Sequence, residues 1–224
     1  MTFGLRTDII FIEARIKRAL LTQAGEVKAT DTIRGMPALK EWAVAIQALK
    51  SGDQIMIMRK GGLAEETRDF QVKADSFYLY PAYEHQKKEL LKEEYQDQID
   101  ETLREWKPDD SVTTITAYAK LAEDIEITDQ EQIDRLYSFH IWTNRFTEDR
   151  LHWKRKNPLH LLLLRIYKLD QPFKVDSLPE YNGCKSWIEL PANHAMPPGQ
   201  PVMNDEVFEQ SVSKIQKALK YDLY

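Results

Sequence analysis

The sequence predicts a mixed α/β (α+β) fold, in which a central mixed sheet opened by a β-hairpin carries helices on both faces and a helical C-terminal tail. Two observations support this fold class. Runs of β-branched and apolar residues occur at strand length in "SFYLYP", "SVTTITAYAKL" and "PLHLLLLRIYKL", and segments with helical spacing lie around them. The chain has 224 residues, 42% of them hydrophobic, which is enough for one sizeable core.

The first part of the chain predicts a helix followed by a β-hairpin. Apolar residues at helical spacing indicate an amphipathic helix over residues 8–23. These residues are Ile9, Ile12, Ile16 and Leu20. Further on, "EWAVAIQALKSGDQIMIMRKGG" contains two apolar runs separated by "KSGD", which is the pattern of a hairpin with one strand on each side of the turn.

The middle of the chain predicts three more strands and two helices. A strand over residues 76–81 ends at Pro81, and a long helix with one apolar stripe and many acidic residues follows over residues 83–106. The alternating residues 111–121 predict the next strand. A short helix over residues 129–139 follows, and residues 158–169 read as a strand that is buried on both faces.

The predicted domain boundaries follow the same pattern. We expect residues 1–190 to form a single α/β domain whose core spans residues 37–190. Residues 191–224 contain a proline-rich linker and a C-terminal helix, for which Asn204 is a natural N-cap.

Composition excludes several classes of function. A formal net charge of −5 argues against a protein whose whole surface coats nucleic acid, so any phosphate site must be local. Cys184 is the only cysteine, which excludes a disulfide framework and fits a reducing cytoplasm. Charged residues interrupt the apolar N-terminal segment, and the run at residues 161–164 is too short to span a bilayer. We therefore expect a cytoplasmic protein with no membrane partner.

A first candidate site lies at the end of the second predicted strand. Arg59 and Lys60 provide two cations next to Gly61 and Gly62, whose backbone allows close approach of an anion. The alternative is a solvated charge pair at a flexible turn.

A second candidate site is the junction between a strand and a helix in "YPAYEHQ". Glu84, His85 and Gln86 lie where sheet proteins often gather catalytic groups, and we expect them to act with Lys60. A carboxylate at this position is suited to Mg²⁺, although the sequence leaves open whether any metal binds. In the alternative interpretation, Glu84 complements the helix dipole and His85 is structural.

A third candidate is the basic stretch over residues 140–160. Cations interleaved with aromatic rings are typical of sites that bind single-stranded nucleic acid. The expected binding residues are Arg59, Arg145, Arg150, Trp153, Lys154, Arg155 and Lys156. The alternative is a solvated loop whose tryptophans turn into the core.

Four segments together carry a family resemblance. "KEWAVAIQALKSGDQIMIMRKGG", "FYLYPAYEHQ", "RLHWKRKNPLHLLLLRIYKL" and "YNGCKSW" resemble a bacterial and cyanobacterial family catalogued as domain-of-unknown-function family eighteen-zero-two. The likeness covers residues 37–190, and it implies no assigned reaction.

The predicted order of elements also resembles, more loosely, the PD-(D/E)XK nuclease fold. That resemblance implies a Mg²⁺ site that activates water for phosphodiester cleavage. Here Gln86 stands where the signature has lysine, and the preceding strand offers Arg59 and Lys60 in place of an acid. An intact metal site is therefore in doubt, even if the topology is kept.

Two functions follow as hypotheses. The first is binding or processing of nucleic acid on a nuclease-like fold. The second is a non-catalytic interaction protein whose acidic helix over residues 83–106 binds a basic protein partner. Whether the chain is an enzyme, and its oligomeric state, are left open by the sequence.

Overall fold

The computed structural model describes residues 35–60, 70–104, 106–153, 157–183, 185–191 and 198–220. The strands in these ranges are β1 (Met36–Trp42), β2 (Met56–Arg59), β3 (Ser76–Ala82), β4 (Val112–Ile127), β5 (Leu159–Asp176), β6 (Trp187–Leu190) and β7 (Gly199–Pro201). The helices are α1 (Ala43–Ser51), α2 (Glu93–Leu103), α3 (Gln130–Asp134), α4 (Asn144–His152) and α5 (Asp205–Lys220). Three 3-10 turns cover Lys88–Leu90, Tyr137–Phe139 and Pro179–Tyr181.

All seven strands belong to one mixed sheet. Its order is β2-β5-β4-β3-β1-β6, and β7 pairs with β5 beside this path. β1 and β3 run parallel, with Ala38 opposite Tyr78, whereas the other pairs are antiparallel. The predicted α+β class with a central mixed sheet is confirmed.

The predicted hairpin over residues 41–60 is wrong. Its first strand is mostly the helix α1, and β1 ends at Trp42, immediately before it. The helix then ends at Gly52, whose φ of 85° is the left-handed conformation that glycine adopts at a helix C-terminus. Because α1 is buried on nearly every side, its apolar residues show no helical stripe, and alternation alone suggested a strand.

The other predicted elements agree with the structure to different degrees. The strand over residues 76–81 and the C-terminal helix are confirmed, and the Asn204 side chain accepts a hydrogen bond from the Val207 N–H at 2.8 Å. The strands beginning at residues 111 and 158 are also confirmed, although β4 and β5 extend further along the chain. The helix predicted over 83–106 is shorter, because a 3-10 turn precedes α2. The helix predicted over 8–23 lies outside the described residues.

The sheet curls so that strands far apart in its order come into contact. Arg59 at the end of β2 places Nη1 3.3 Å from Oε2 of Glu41 in β1, although β2 is first and β1 fifth in the sheet order. Phe70, which follows β2 in the chain, packs against Trp187 of β6 at 6.2 Å and His160 of β5 at 5.4 Å between ring centroids. The strong coiling of the sheet therefore brings the ends of β1 and β2 together.

The connection between β4 and β5 forms a helical layer beside these strand ends. Phe146 and Leu151 of α4 are buried in one cluster with Val44 of α1. Phe208 and Ile215 of α5 are buried in the same cluster. Among the described residues, every helix is too short or too polar to cross a membrane.

Candidate functional site

A pocket of about 380 Å³ opens where α4 lies beside the junction of β1 and α1. Its lining residues are Trp42, Lys87, Leu90, Phe146, Asp149, Arg150 and Trp153. The lining therefore combines aromatic rings with two cationic side chains and one acidic side chain. Its volume lies within the range of about 300–1,000 Å³ that small-molecule sites usually occupy.

The orientation of α4 is set by its ends. The Thr143 hydroxyl accepts a hydrogen bond from the Phe146 N–H at 3.4 Å and so caps the start of the helix. The Thr143 N–H and hydroxyl both donate to the Leu90 carbonyl oxygen, at 3.0 and 3.2 Å. The start of α4 is thus tied to the turn that contributes Leu90 to the pocket.

The aromatic wall of the pocket is a packed set of rings. Trp142 stacks on Phe146, with centroids 4.1 Å apart and planes at 14°. Trp42 meets Trp142 edge to face at 5.1 Å. Trp153 at the end of α4 is 39% exposed, so its ring remains accessible at the rim. Because Trp42, Trp142 and Phe146 already pack against one another, their side chains lose little additional conformational entropy when a flat ligand binds.

Arg150 is a cation of the pocket lining that lies close to a buried ion pair. The guanidinium carbon of Arg150 lies 5.0 Å from the centroid of the Phe146 ring. Burial lowers the pKa of Arg150, the positive charge of Arg59 lowers it further, and Glu41 raises it. Arg150 is therefore a desolvated cation beside the Glu41–Arg59 pair.

The Glu41–Arg59 pair is deeply buried and is only partly satisfied. The side chains of Glu41 and Arg59 are 6% and 11% exposed. Glu41 also accepts the Trp42 N–H through Oε1 at 2.8 Å, which links the pair to the pocket wall. The buried Nε of Arg59 has no hydrogen-bond partner within the described part of the chain.

Lys60 joins the end of β2 to α4. It is 3% exposed, and its ammonium group donates to the carbonyl oxygen of Leu151 near the C-terminus of α4. A cation at this end of a helix is favoured by the helix dipole. Burial lowers the pKa of Lys60. The contact gives Lys60 a positioning role, since it holds α4 and Arg150 against the strand ends.

The junction after Pro81 has a different arrangement from the one predicted. Gln86 accepts the Val44 N–H through Oε1 at 2.9 Å and donates through Nε2 to Tyr83 and Thr102, so its amide caps the first turn of α1. Glu84 and His85 are exposed, and His85 has a φ of 64°. Lys87 is the residue of this segment that lines the pocket.

These residues do not form a ligand set for Mg²⁺. Glu84 is a single exposed carboxylate, and the neighbouring amide of Gln86 is already engaged. Over the described ranges, no group of three His, Cys, Asp or Glu side chains is placed to hold a metal ion.

The basic stretch is divided between the pocket and the surface. Arg150 and Trp153 line the pocket, whereas Arg145 is 73% exposed and lies 4.0 Å from Asp149. Lys154, Arg155 and Lys156, which were also expected to bind, lie outside the described residues.

The structure thus brings two of the predicted site residues, Arg150 and Trp153, into one pocket. Arg59 lies near Arg150, and Lys60 contacts the backbone of the same helix at Leu151. Sequence reasoning missed Glu41, Trp42 and Lys87. The sequence marks Glu41 only as an acidic residue directly before an apolar segment. Its ion-pair partner, Arg59, reaches it because the sheet curls.

The fold and the pocket define an α+β domain with a curled mixed sheet and a local aromatic and cationic site. The chain belongs to the family described as "Domain of unknown function (DUF1802)", whose model matches residues 38–214. The match extends beyond the predicted likeness over 37–190 and includes the first part of α5. No curated protein and no solved structure matches the chain.

The comparisons give no support to the resemblance to the PD-(D/E)XK fold. The order of elements that suggested it counted residues 41–51 as a strand, and most of this segment is the helix α1.

Proposed function

We propose that this protein binds single-stranded nucleic acid at the pocket between α4 and the β1–α1 junction. The observation that carries the proposal is the combination of aromatic surface, exposed at Trp153 and half-buried at Trp42, with the guanidinium of Arg150 in one cavity. Bases stack on such rings whatever their sequence, and the cation attracts the phosphate backbone. Binding is confined to this pocket, which agrees with an overall charge of −5.

The proposal is one of binding and not of cleavage. Metal-assisted hydrolysis needs carboxylates that converge on the scissile phosphate. In the described part of the chain, no three His, Cys, Asp or Glu side chains are grouped so as to hold a metal ion, and the pocket lining contains one carboxylate, Asp149, which lies 4.0 Å from Arg145.

Fluorescence anisotropy with a labelled single-stranded oligonucleotide tests the proposal. Arg150→Gln removes the guanidinium from the pocket lining and leaves Lys87 in place, and we expect at least tenfold weaker binding. Arg104→Gln is the matched control, because Arg104 is exposed and does not line the pocket. Equal losses in the two variants would indicate general electrostatic attraction and would contradict the proposed site.

Trp153→Ala provides a second variant, because the Trp153 ring lines the pocket and is 39% exposed. Loss of one stacked base costs about 1–3 kcal/mol, which corresponds to roughly 5- to 150-fold in affinity. Thermal unfolding of each variant shows whether a weaker signal reflects loss of the fold.

A second proposed function rests on α2. Its acidic side chains all face solvent, and a basic protein segment would be the complementary partner. These residues are Glu93, Glu94, Asp97, Asp100 and Glu101. Two of them have neighbours in the chain, since Lys88 pairs with Asp100 and Gln47 donates to Glu101. This function would be favoured if a lysine-rich peptide bound the wild type but not Glu93→Gln/Glu94→Gln, and if the wild type did not bind the oligonucleotide.

A further inference from the structure

The side of α4 that lines the pocket carries an acid within its stripe. Phe146, Asp149, Arg150 and Trp153 all line the cavity and stand at positions i, i+3, i+4 and i+7, so they lie along one side of the helix. A helix that only covers a core has apolar residues at such positions. Asp149 is the one carboxylate among the described residues of the lining.

Local interactions give little reason for an acid at position 149. Asp149 lies in the last turn of α4, where the negative end of the helix dipole disfavours an acid. Its side chain is 70% exposed, and Oδ2 lies 4.0 Å from Nε of Arg145, which is the geometry of a weak surface pair. The carboxylate is therefore available to a ligand that enters the pocket.

The position of Asp149 directs it towards a base rather than towards the phosphate backbone. The Trp153 N–H donates to the Asp149 carbonyl oxygen at 3.0 Å, so the two residues are one helical turn apart and their side chains are neighbours. A base that stacks on the exposed Trp153 ring thus presents its edge close to the carboxylate. Phosphate is repelled by Asp149 and attracted by Arg150 and Lys87, which line the same cavity.

A carboxylate distinguishes the bases by the donors on their edges. When ionised, it accepts hydrogen bonds and donates none. In an unpaired strand the Watson–Crick edge is free for readout, and guanine presents two adjacent donors there, N1–H and the 2-amino group, which match the two carboxylate oxygens. Cytosine and adenine present one amino group beside a ring nitrogen that accepts. Thymine and uracil present one N–H between two carbonyl oxygens, which a carboxylate repels.

We infer that Asp149 makes the pocket selective for guanine, by accepting the N1–H and 2-amino hydrogens of a base stacked on Trp153. This inference rests on the proposed binding of single-stranded nucleic acid and specifies which base the pocket holds. Asp149 is then a specificity-determining residue, whereas Arg150 supplies attraction for the backbone of any strand.

The test varies one base in an otherwise constant strand. Labelled thymine oligonucleotides carry guanine, hypoxanthine or thymine at a single central position, and fluorescence anisotropy measures the Kd of each. Hypoxanthine keeps N1–H but lacks the 2-amino group, so it removes one of the two hydrogen bonds. We expect the guanine strand to bind about tenfold more tightly than the thymine strand, within the range for a bidentate contact to a base, with the hypoxanthine strand between them.

Asp149→Asn should reduce the preference for guanine to less than about twofold. The amide keeps one acceptor oxygen but turns the other position into a donor, which would face a donor of guanine. Because the change also removes a negative charge near the strand, the thymine strand should bind equally well or more tightly while the guanine strand binds more weakly. A damaged fold would instead weaken all strands alike.

Glu148→Gln is the matched control. Glu148 precedes Asp149 on α4, is exposed and is not part of the described pocket lining, and its replacement changes the net charge by the same amount. This variant should keep the preference for guanine.

The outcomes separate the two proposals. If no strand binds, the proposed function fails. If the guanine strand binds no more tightly than the thymine strand, single-strand binding stands and the selectivity is refuted. A guanine preference that persists in Asp149→Asn, or that is lost equally in Glu148→Gln, would also overturn the role of Asp149.

Discussion

Replacement of Glu41 by glutamine tests the charge balance on which the site depends. The substitution keeps the shape of the side chain and an oxygen that can accept the Trp42 N–H, but it removes the negative charge that pairs with Arg59. It also removes the charge that raises the pKa of Arg150, while the opposing effect of Arg59 remains. We expect a loss of stability in the absence of ligand.

The size of this loss follows from the geometry of the pair. Opposite charges 3.3 Å apart attract by about 5 kcal/mol at an effective dielectric constant of about 20. A hydrogen bond to the glutamine amide recovers about 1 kcal/mol. The expected decrease in the free energy of unfolding is therefore about 3–4 kcal/mol, within the range of about 3–5 kcal/mol for breaking a buried pair.

Urea denaturation followed by tryptophan fluorescence measures this change. Glu101→Gln is the control, because Glu101 is exposed on α2, and it should change stability by less than about 0.5 kcal/mol. A double-mutant cycle with Arg59→Met should give a coupling energy above about 1 kcal/mol. If Glu41→Gln lowered the free energy of unfolding by less than about 1 kcal/mol, the idea that the Glu41 carboxylate stabilises the buried positive charge of Arg59 would be refuted.

Two further predictions concern stability away from the pocket. Burial, with a smaller effect from Lys92, lowers the pKa of His140 to about 3, so the native state keeps it neutral while the unfolded chain binds a proton below about pH 6.5. The stability that the neutral His140 contributes is complete above pH 6.5 and falls by about 1.4 kcal/mol per pH unit towards pH 3. Between pH 7.5 and pH 5, His140→Gln should therefore lose about 2 kcal/mol less of its free energy of unfolding than the wild type, as measured by urea denaturation. Equal losses in the two proteins would contradict this prediction. Gly199→Ala would place Cβ 2.6 Å from the Lys168 carbonyl oxygen and 3.0 Å from the Tyr118 ring. We expect this crowding to destabilise the native state by about 1–3 kcal/mol in thermal unfolding. An unchanged Tm would contradict the pairing of β7 with β5.

The strands of this fold could be predicted where the local pattern has one meaning. β3, β4 and β5 are rich in β-branched and aromatic residues or form long apolar runs, and all three were predicted. The helix α1 was missed, because a helix that is apolar all round has no periodic stripe. The three alanines of α1 and the glycine that follows it favour a helix, whereas the alternation in the same segment favours a strand.

The candidate site was predictable in its residue types but not in its assembly. Arg59, Lys60, Arg150 and Trp153 were selected because cations next to glycines or aromatic rings suit phosphate and bases. Glu41 was not selected, since its contact with Arg59 joins strands that are first and fifth in the sheet. Contacts of this kind arise from the coiling of the whole sheet, and no local pattern encodes them.

The same contact connects the stability of the fold with its proposed activity. An ion pair buried between two strands is often no more stabilising than an apolar pair of similar volume, so stability alone gives little reason for Glu41 and Arg59 to meet there. Both residues also act on the cation that lines the pocket, because Arg59 lowers the pKa of Arg150 and Glu41 raises it. Binding of a nucleic-acid strand at Arg150 would stabilise the native state by an amount that grows with the logarithm of the ligand concentration. The curled sheet thus positions the proposed binding site, since the approach of β1 to β2 sets the distance between the charges of Glu41 and Arg59.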